Sequence, residues 1–225
     1  MKSIMVTKRS GQREPFDPDK IHKVLFWATE DIAGVSVSQI EAKASLQLHN
    51  GITTKDIHEI LITSANELIS EEMPNYQWVA ARLRLFQLRK EALGQFAPIP
   101  VLELVKRNIG LGKYTAELLD WYDEEDWQEI EKIVDHSRDF NYASAGMEQL
   151  ARKYLVQNRV SREVYETPQY LNVIVSACFF HRYPKETRMN YIRDFYNALS
   201  NHVISLPTPI MAGLRTPTKQ FSSCV

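Results

Sequence analysis

Apolar residues at helical spacing run through most of this 225-residue chain, and this periodicity constrains the fold more than any other feature. Behind Asp17, for example, Ile21, Val24, Leu25 and Ala28 recur at intervals of three and four residues, which is the spacing of one helix face. The chain holds only 8 glycines, which also favours helices. We therefore predict a mainly α fold of the α+β class.

The first 94 residues predict a small sheet followed by a four-helix bundle. Two short strands flank the Ser10-Gly11 turn, because glycine tolerates the positive φ that such a turn needs. Four amphipathic helices follow. In the second of them, Ser36 and Gln39 have the spacing of a capping box. We expect residues 1–94 to form the first domain.

Residues 95–203 are predicted to form a second helical region, entered through the proline-containing connector QFAPIPVLE. A hairpin is expected within YLVQNRVSREVYE. After His202 the pattern changes, because VISLPTPIMAGLRTPTKQFSSCV has three prolines and no helical period. Residues 204–225 therefore predict loops and a strand at the edge of a different architecture.

Composition excludes several classes of function. A formal net charge of −1 provides no global attraction to nucleic acid or anionic lipid. No apolar run approaches the roughly 20 residues of a membrane span, and the first residues do not resemble a signal peptide, so we expect a cytoplasmic protein. The two cysteines, Cys178 and Cys224, and the six histidines show no metal-ligand spacing, so we expect no metal in this chain.

A basic cluster near the N-terminus offers the first candidate site. Lys8, Arg9 and Lys20 lie with Glu14 and Asp17 around a glycine-containing turn that leads into a helix N-terminus. Cations and free backbone N–H groups at one place can bind phosphate. From residue types alone, a solvated charged hairpin is the favoured interpretation.

The C-terminal residues offer the second candidate site. Cys224 follows Ser222 and Ser223, whose hydroxyls can bind a polar ligand, and Thr208 lies between two prolines on a stiff backbone. An accessible thiol with a partner can do redox chemistry. A rigid turn and a stray terminal thiol explain the same residues equally well. Cys178, within IVSACFF, is predicted to be a buried small hydrophobe.

As a set, these segments resemble the N-terminal portion of the large, catalytic subunit of class I ribonucleoside-diphosphate reductase. The resemblance covers nearly the whole chain, from VTKRSGQREPFDPDKIH through AARLRLFQLRKEALGQF and KYLVQNRV to SLPTPIMAGLRTPTKQFSSCV. It implies an ATP-cone at residues 1–94, a helical region at 95–203, and, at 204–225, the first strand of a ten-stranded α/β barrel that this chain leaves incomplete.

The resemblance also implies an allosteric site for ATP or dATP, with Mg²⁺ accompanying the nucleotide. The residues that would contact the effector are Lys8, Arg9, Glu14, Pro15, Phe16, Asp17, Pro18, Asp19, Lys20, Thr54, His58 and Lys90.

For catalysis, the resemblance implies that Thr208 and Ser223 contact a ribonucleoside diphosphate and that Cys224 forms a redox-active pair with a cysteine outside this chain. Thiyl-radical chemistry would reduce the substrate. The implied partners are the C-terminal portion of the large subunit, a small subunit that holds an iron–tyrosyl radical, and thioredoxin or glutaredoxin.

Two hypotheses remain open at this point. The chain is the N-terminal part of a reductase large subunit, as a split subunit or a truncated piece, or it is a free-standing ATP/dATP-binding regulatory module or an inactive remnant. A repressor of the second kind would be expected to carry a zinc ribbon, and the chain has no CxxC pair.

Overall fold

A computed structural model describes residues 4–8, 10–219 and 221–222. The strands are β1 (Met5–Thr7) and β2 (Arg13–Pro15), and the α-helices are α1 (Pro18–Thr29), α2 (Val37–Ser45), α3 (Thr54–Asn66), α4 (Tyr76–Leu93), α5 (Val101–Gly110), α6 (Glu117–Trp121), α7 (Glu124–Ile133), α8 (Ser144–Gln149), α9 (Pro168–Phe180), α10 (Lys185–Ser200) and α11 (Thr208–Gly213). A 3₁₀ helix (His136–Asn141) follows α7, and a π-helix (Leu150–Tyr154) continues α8. This content confirms the mainly α fold class.

The chain packs as two compact units. Unit 1 comprises residues 1–87 and 142–148, and unit 2 comprises residues 88–141 and 149–225. The division falls inside α4, whereas the sequence suggested a boundary after residue 94. The sequence pattern did not predict that residues 142–148 belong to unit 1. No helix in the described part of the chain is both long and apolar enough to cross a membrane.

In unit 1 the predicted hairpin and four helices are confirmed. Strands β1 and β2 pair antiparallel with Val6 opposite Glu14, and Gly11 in the turn has a φ of 82°. The core lies between the helices and buries Leu25, Leu61 and Leu83 almost completely. Burial of such side chains supplies most of the driving force for this bundle.

Side-chain capping differs between the helices of unit 1, with one departure from the sequence prediction. Asp17 accepts a hydrogen bond from the backbone N–H of Asp19 at 3.0 Å, so its side chain caps α1. The predicted capping box of Ser36 and Gln39 is wrong, because Ser36 makes no side-chain cap bond. The hydroxyl of Tyr76 instead accepts from the backbone N–H of Ser36 at 2.9 Å and donates to Gln39 at 2.5 Å.

In unit 2 the core forms around α9, which is buried from Pro168 to Cys178. Helix α10 packs along it, and Tyr170, Ile174 and Tyr196 lie in the same fully buried cluster. The hairpin expected within YLVQNRVSREVYE is reduced to one antiparallel bridge between Gln157 and Val164 among the described residues.

The region after residue 203 also differs from the prediction. Helix α11 begins directly after Pro207 and has a second proline in its first turn, where the missing N–H groups cost nothing. The described residues between 204 and 222 form no strand. The expected first barrel strand was placed on the final residues, of which 220 and 223–225 lie outside the described part of the chain.

Candidate functional site

A pocket of about 160 Å³ opens in unit 1 between the hairpin and helices α1, α3 and α4. Seven of the residues predicted to contact an effector line it: Glu14, Pro15, Phe16, Asp17, Lys20, Thr54 and His58. The remaining lining residues are Val6, Ile21, Val24, Ile57, Leu61 and Phe86. The fold thus brings together side chains that are separated by more than 30 positions in the sequence.

Backbone pairing holds the two helix N-termini of this pocket next to the hairpin. The N–H of Thr7 donates to the carbonyl of Ile52 at 2.8 Å, which fixes the segment before α3 beside β1. The N–H of Phe16 donates to the carbonyl of Ile4 at 2.8 Å, which fixes the segment before α1. Helix N-termini carry partial positive charge and unsatisfied N–H groups, so this arrangement favours an anionic ligand.

A carboxylate on the rim of the pocket is shared by two lysines. Glu14 accepts from Lys8 at 2.7 Å and from Lys20 at 3.0 Å. Hydrogen bonds from Lys8 and then from Lys20 lower the pKa of Glu14, and the hydrogen bond to Glu14 raises the pKa of Lys20. Both lysine side chains lie where an incoming phosphate can compete with Glu14 for them.

The floor of the pocket is apolar and aromatic. The rings of His58 and Phe86 stack with centroids 5.0 Å apart and an interplanar angle of 22°, and Trp27 lies 5.9 Å from Phe86. Such a surface can pack against a planar ring. Sequence reasoning did not identify Phe86 as a site residue. The helical spacing places Phe86 on the inward face of the fourth helix. That position is the signal from which its role in the site could have been inferred.

The other predicted effector contacts are more dispersed. Lys8 does not line the pocket, but it pairs with Glu14, which does. Pro18 and Asp19 occupy the exposed first turn of α1 and do not line it. Lys90 lies on the part of α4 that belongs to unit 2. Arg9 lies outside the described residues.

A larger cleft of about 1180 Å³ lies in unit 2, and it contains Thr208 and Ser222. Thr208 begins α11 and hydrogen-bonds the hydroxyl of Tyr154, which lowers the pKa of Tyr154. The two other C-terminal candidates, Ser223 and Cys224, fall outside the described residues. The cleft therefore holds one of the two residues predicted to contact substrate.

A buried ion pair anchors the chain segment that carries Thr208. Arg215 and Glu166 are both fully buried, and the Arg215 Nε donates to Glu166 at 2.8 Å. The same guanidinium donates to the carbonyls of Met211 at 2.5 Å and Tyr154 at 2.9 Å. Tyr114 donates its hydroxyl to Glu166, and burial together with the charge of Glu166 raises the pKa of Tyr114. One side chain thus ties α11 to the end of the π-helix.

Cys178 is buried in unit 2, which confirms the prediction that it is a small core residue. Burial raises the pKa of its thiol to about 12, so a reactive thiolate is disfavoured there. Within the described ranges, no group of three or more His, Cys, Asp or Glu side chains is placed to hold a metal ion.

Two protein families match this chain. Residues 4–91 match the family described as ATP cone domain, and these residues include the whole lining of the unit 1 pocket. Residues 139–219 match the family described as ribonucleotide reductase, all-alpha domain, and they include Thr208, Glu166 and Arg215.

Curated relatives agree with these matches. The chain is 52% identical to the ribonucleoside-diphosphate reductase subunit alpha of Buchnera aphidicola subsp. Schizaphis graminum, over 99% of this chain and 29% of that protein. It is 52% identical to the subunit alpha of Haemophilus influenzae, over 100% of this chain and 30% of that protein. It is 50% identical to the reductase 1 subunit alpha of Escherichia coli K12, over 99% of this chain and 29% of that protein. The chain thus spans less than a third of the length of these relatives.

Proposed function

This chain belongs to the family of ribonucleoside-diphosphate reductase alpha subunits, whose N-terminal portion it matches, and from this premise we propose that it binds an effector nucleotide and supplies part of a reductase active site. In this proposal unit 1 binds ATP or dATP and sets overall activity. Unit 2 contributes substrate contacts and one redox-active cysteine. Turnover requires the remaining C-terminal portion of the large subunit.

The observation that carries the effector proposal is the composition of the unit 1 pocket. Lys20 on the rim and the two helix N-termini suit the triphosphate, and the stacked pair of His58 and Phe86 suits the base. We assign the effector contacts to the lining residues Glu14 to Asp17, Lys20, Thr54 and His58, with Lys8, Arg9, Pro18, Asp19 and Lys90 as the further predicted contacts. Mg²⁺ would accompany the nucleotide.

The catalytic part of the proposal concerns Thr208, Ser223 and Cys224. Thr208 and Ser223 would hold the ribonucleoside diphosphate. As the 2′ hydroxyl leaves as water, Cys224 and a cysteine outside this chain would each lose one electron and one proton and form a disulfide. Thioredoxin or glutaredoxin would return the pair to thiols. Burial of Arg215 with Glu166 supports this assignment, since it fixes the helix that Thr208 begins.

The partners follow from the same family relationship. A small subunit with an iron–tyrosyl radical would generate the thiyl radical, and the C-terminal portion of the large subunit would complete the barrel. The assembly would act in the cytoplasm. A free-standing regulatory module explains unit 1 equally well, but the match of residues 139–219 to the all-alpha domain favours the reductase.

A reconstitution experiment tests this proposal. The chain is mixed with a polypeptide that carries the C-terminal portion of the large subunit and with the small subunit, and reduction of cytidine diphosphate is measured with thioredoxin present. We expect turnover that requires all three polypeptides and that responds to ATP and dATP. A matched mixture that lacks only this chain is the control, and inactivity of the complete, assembled mixture would overturn the proposal.

A further inference from the structure

The unit 2 cleft is lined by basic side chains from three segments of the chain. Lys113 follows α5, Arg152 and Lys153 lie on the π-helix, and Arg159 and Arg162 lie on the connection that follows it. The cleft lining includes no aspartate and no glutamate in the described part of the chain. The excess of positive charge is a local property of the cleft, because the whole chain has a formal net charge of −1. A concave surface of one sign concentrates ligands of the opposite sign.

Three of these cations are available to a ligand. Within the described residues, Lys153, Arg159 and Arg162 have no carboxylate at salt-bridge distance, and all three side chains are exposed. Some exposed cations elsewhere have carboxylate partners, as in Lys219 with Glu117 at 2.5 Å and Lys185 with Asp123 at 2.5 Å. Lys153, Arg159 and Arg162 differ from these pairs because they line one cleft and have no carboxylate among its described lining residues to satisfy them.

Hydroxyl groups also line this cleft. Thr208, Thr216, Thr218 and Ser222 all contribute to the lining. The hydroxyls of Thr208 and Thr216 already donate within the protein, so the guanidinium groups, which bind phosphate through paired N–H donors, are the principal phosphate donors. A polyanion with several oxygens on one end therefore fits this combination.

We propose that Lys153, Arg159 and Arg162 form a capture site that binds the phosphate groups of an incoming nucleoside diphosphate beside the predicted substrate residue Thr208. The inference rests on the proposed function, because that function supplies the nucleoside diphosphate. It goes further in assigning phosphate binding to basic side chains that the family resemblance did not name.

An acidic peptide is the competing occupant of this cleft. Carboxylates also pair with arginine, and each offers two acceptor oxygens. A diphosphate carries more acceptor oxygens and more negative charge on a shorter ligand than an acidic peptide, which suits three cations that line one cleft. We therefore assign the cleft to phosphate and test the peptide separately.

Titration of inorganic pyrophosphate into the full chain tests the proposal. The chain is first saturated with dATP, so that the unit 1 pocket is filled, and binding is measured by calorimetry at low and high salt. We expect the double variant Arg159→Gln, Arg162→Gln to lower the association constant about fivefold or more, because two charge-assisted contacts are lost. Higher salt should weaken binding to the wild-type chain, because ions screen exposed charges.

The control is Lys106→Gln, which removes an exposed cation of α5 that does not line the cleft, and it should leave binding unchanged. Lys153→Gln serves as a second test on a different segment. Absence of pyrophosphate binding, or equal binding by the double variant and the control, would overturn the inference. Binding of a hexaglutamate peptide in place of pyrophosphate would overturn it too. Failure of dATP to bind would instead count against the effector proposal, since the cleft variants do not touch unit 1.

Discussion

Replacing Glu166 with glutamine is expected to lower the free energy of unfolding of unit 2 by about 3–5 kcal/mol, the usual cost of leaving one partner of a buried ion pair alone. Arg215 is fully buried, so its charge has no access to water once the carboxylate is gone. Burial acts to lower the pKa of Arg215, and the charge and hydrogen bond of Glu166, together with Tyr114 and Cys178, raise it above its usual value. The substitution conserves shape and thus isolates the charge.

Hydrogen-exchange mass spectrometry at increasing urea concentrations measures this effect on peptides of unit 2. The matched control is Glu117→Gln, which breaks the exposed pair with Lys219 and should change stability little. Adding Arg215→Met to Glu166→Gln should recover part of the loss, because the double variant has no buried charge left without a partner. If Glu166→Gln proves no more destabilising than Glu117→Gln, the anchoring role of the buried pair is wrong.

The second large effect is expected in unit 1. Lys20→Gln should weaken dATP binding by about 10-fold to 100-fold, the range that corresponds to loss of one charged hydrogen bond to phosphate. Lys20 lines the pocket and lies 3.0 Å from Glu14, which places its ammonium group on the rim near the N-terminus of α1. Calorimetric titration of dATP with Mg²⁺ gives the affinity directly.

Lys23→Gln is the matched control for this variant. Lys23 lies three residues further along α1, is exposed and does not line the pocket, so its removal changes the net charge of the chain by the same amount. Equal loss of affinity in both variants would indicate a general electrostatic effect and not a contact with phosphate. No loss in either variant would place the triphosphate away from Lys20.

Much of unit 1 could be predicted from local sequence patterns. The Ser10-Gly11 turn and the helical spacing after Asp17 identified the hairpin and α1, because both depend on contacts within a few residues. The residue types of the N-terminal cluster allowed a phosphate site. They did not favour it, because the segment before Thr54 joins the hairpin through bonds between residues more than 40 positions apart, such as the one from Thr7 to Ile52.

The features that could not be predicted depend on contacts that are distant in sequence. Tyr76 replaces the expected capping box at Ser36 from 40 positions away. Arg215 lies in a segment for which the sequence predicted loops and a strand, and its partner Glu166 lies 49 positions earlier. Periodicity carries no information about such pairs, because each residue alone is compatible with an exposed position. The short helix after Pro207 was missed because six residues are too few to show a helical period.

Photolabelling with 8-azido-ATP tests the central claim, which is that the unit 1 pocket binds the effector. The chain is irradiated with the analogue, and the labelled peptides are identified by mass spectrometry, with and without excess dATP. We expect label on peptides that contain Phe16, His58 or Phe86, and we expect dATP to abolish it. Label confined to the unit 2 cleft, or label on the pocket that dATP does not displace, would contradict the claim.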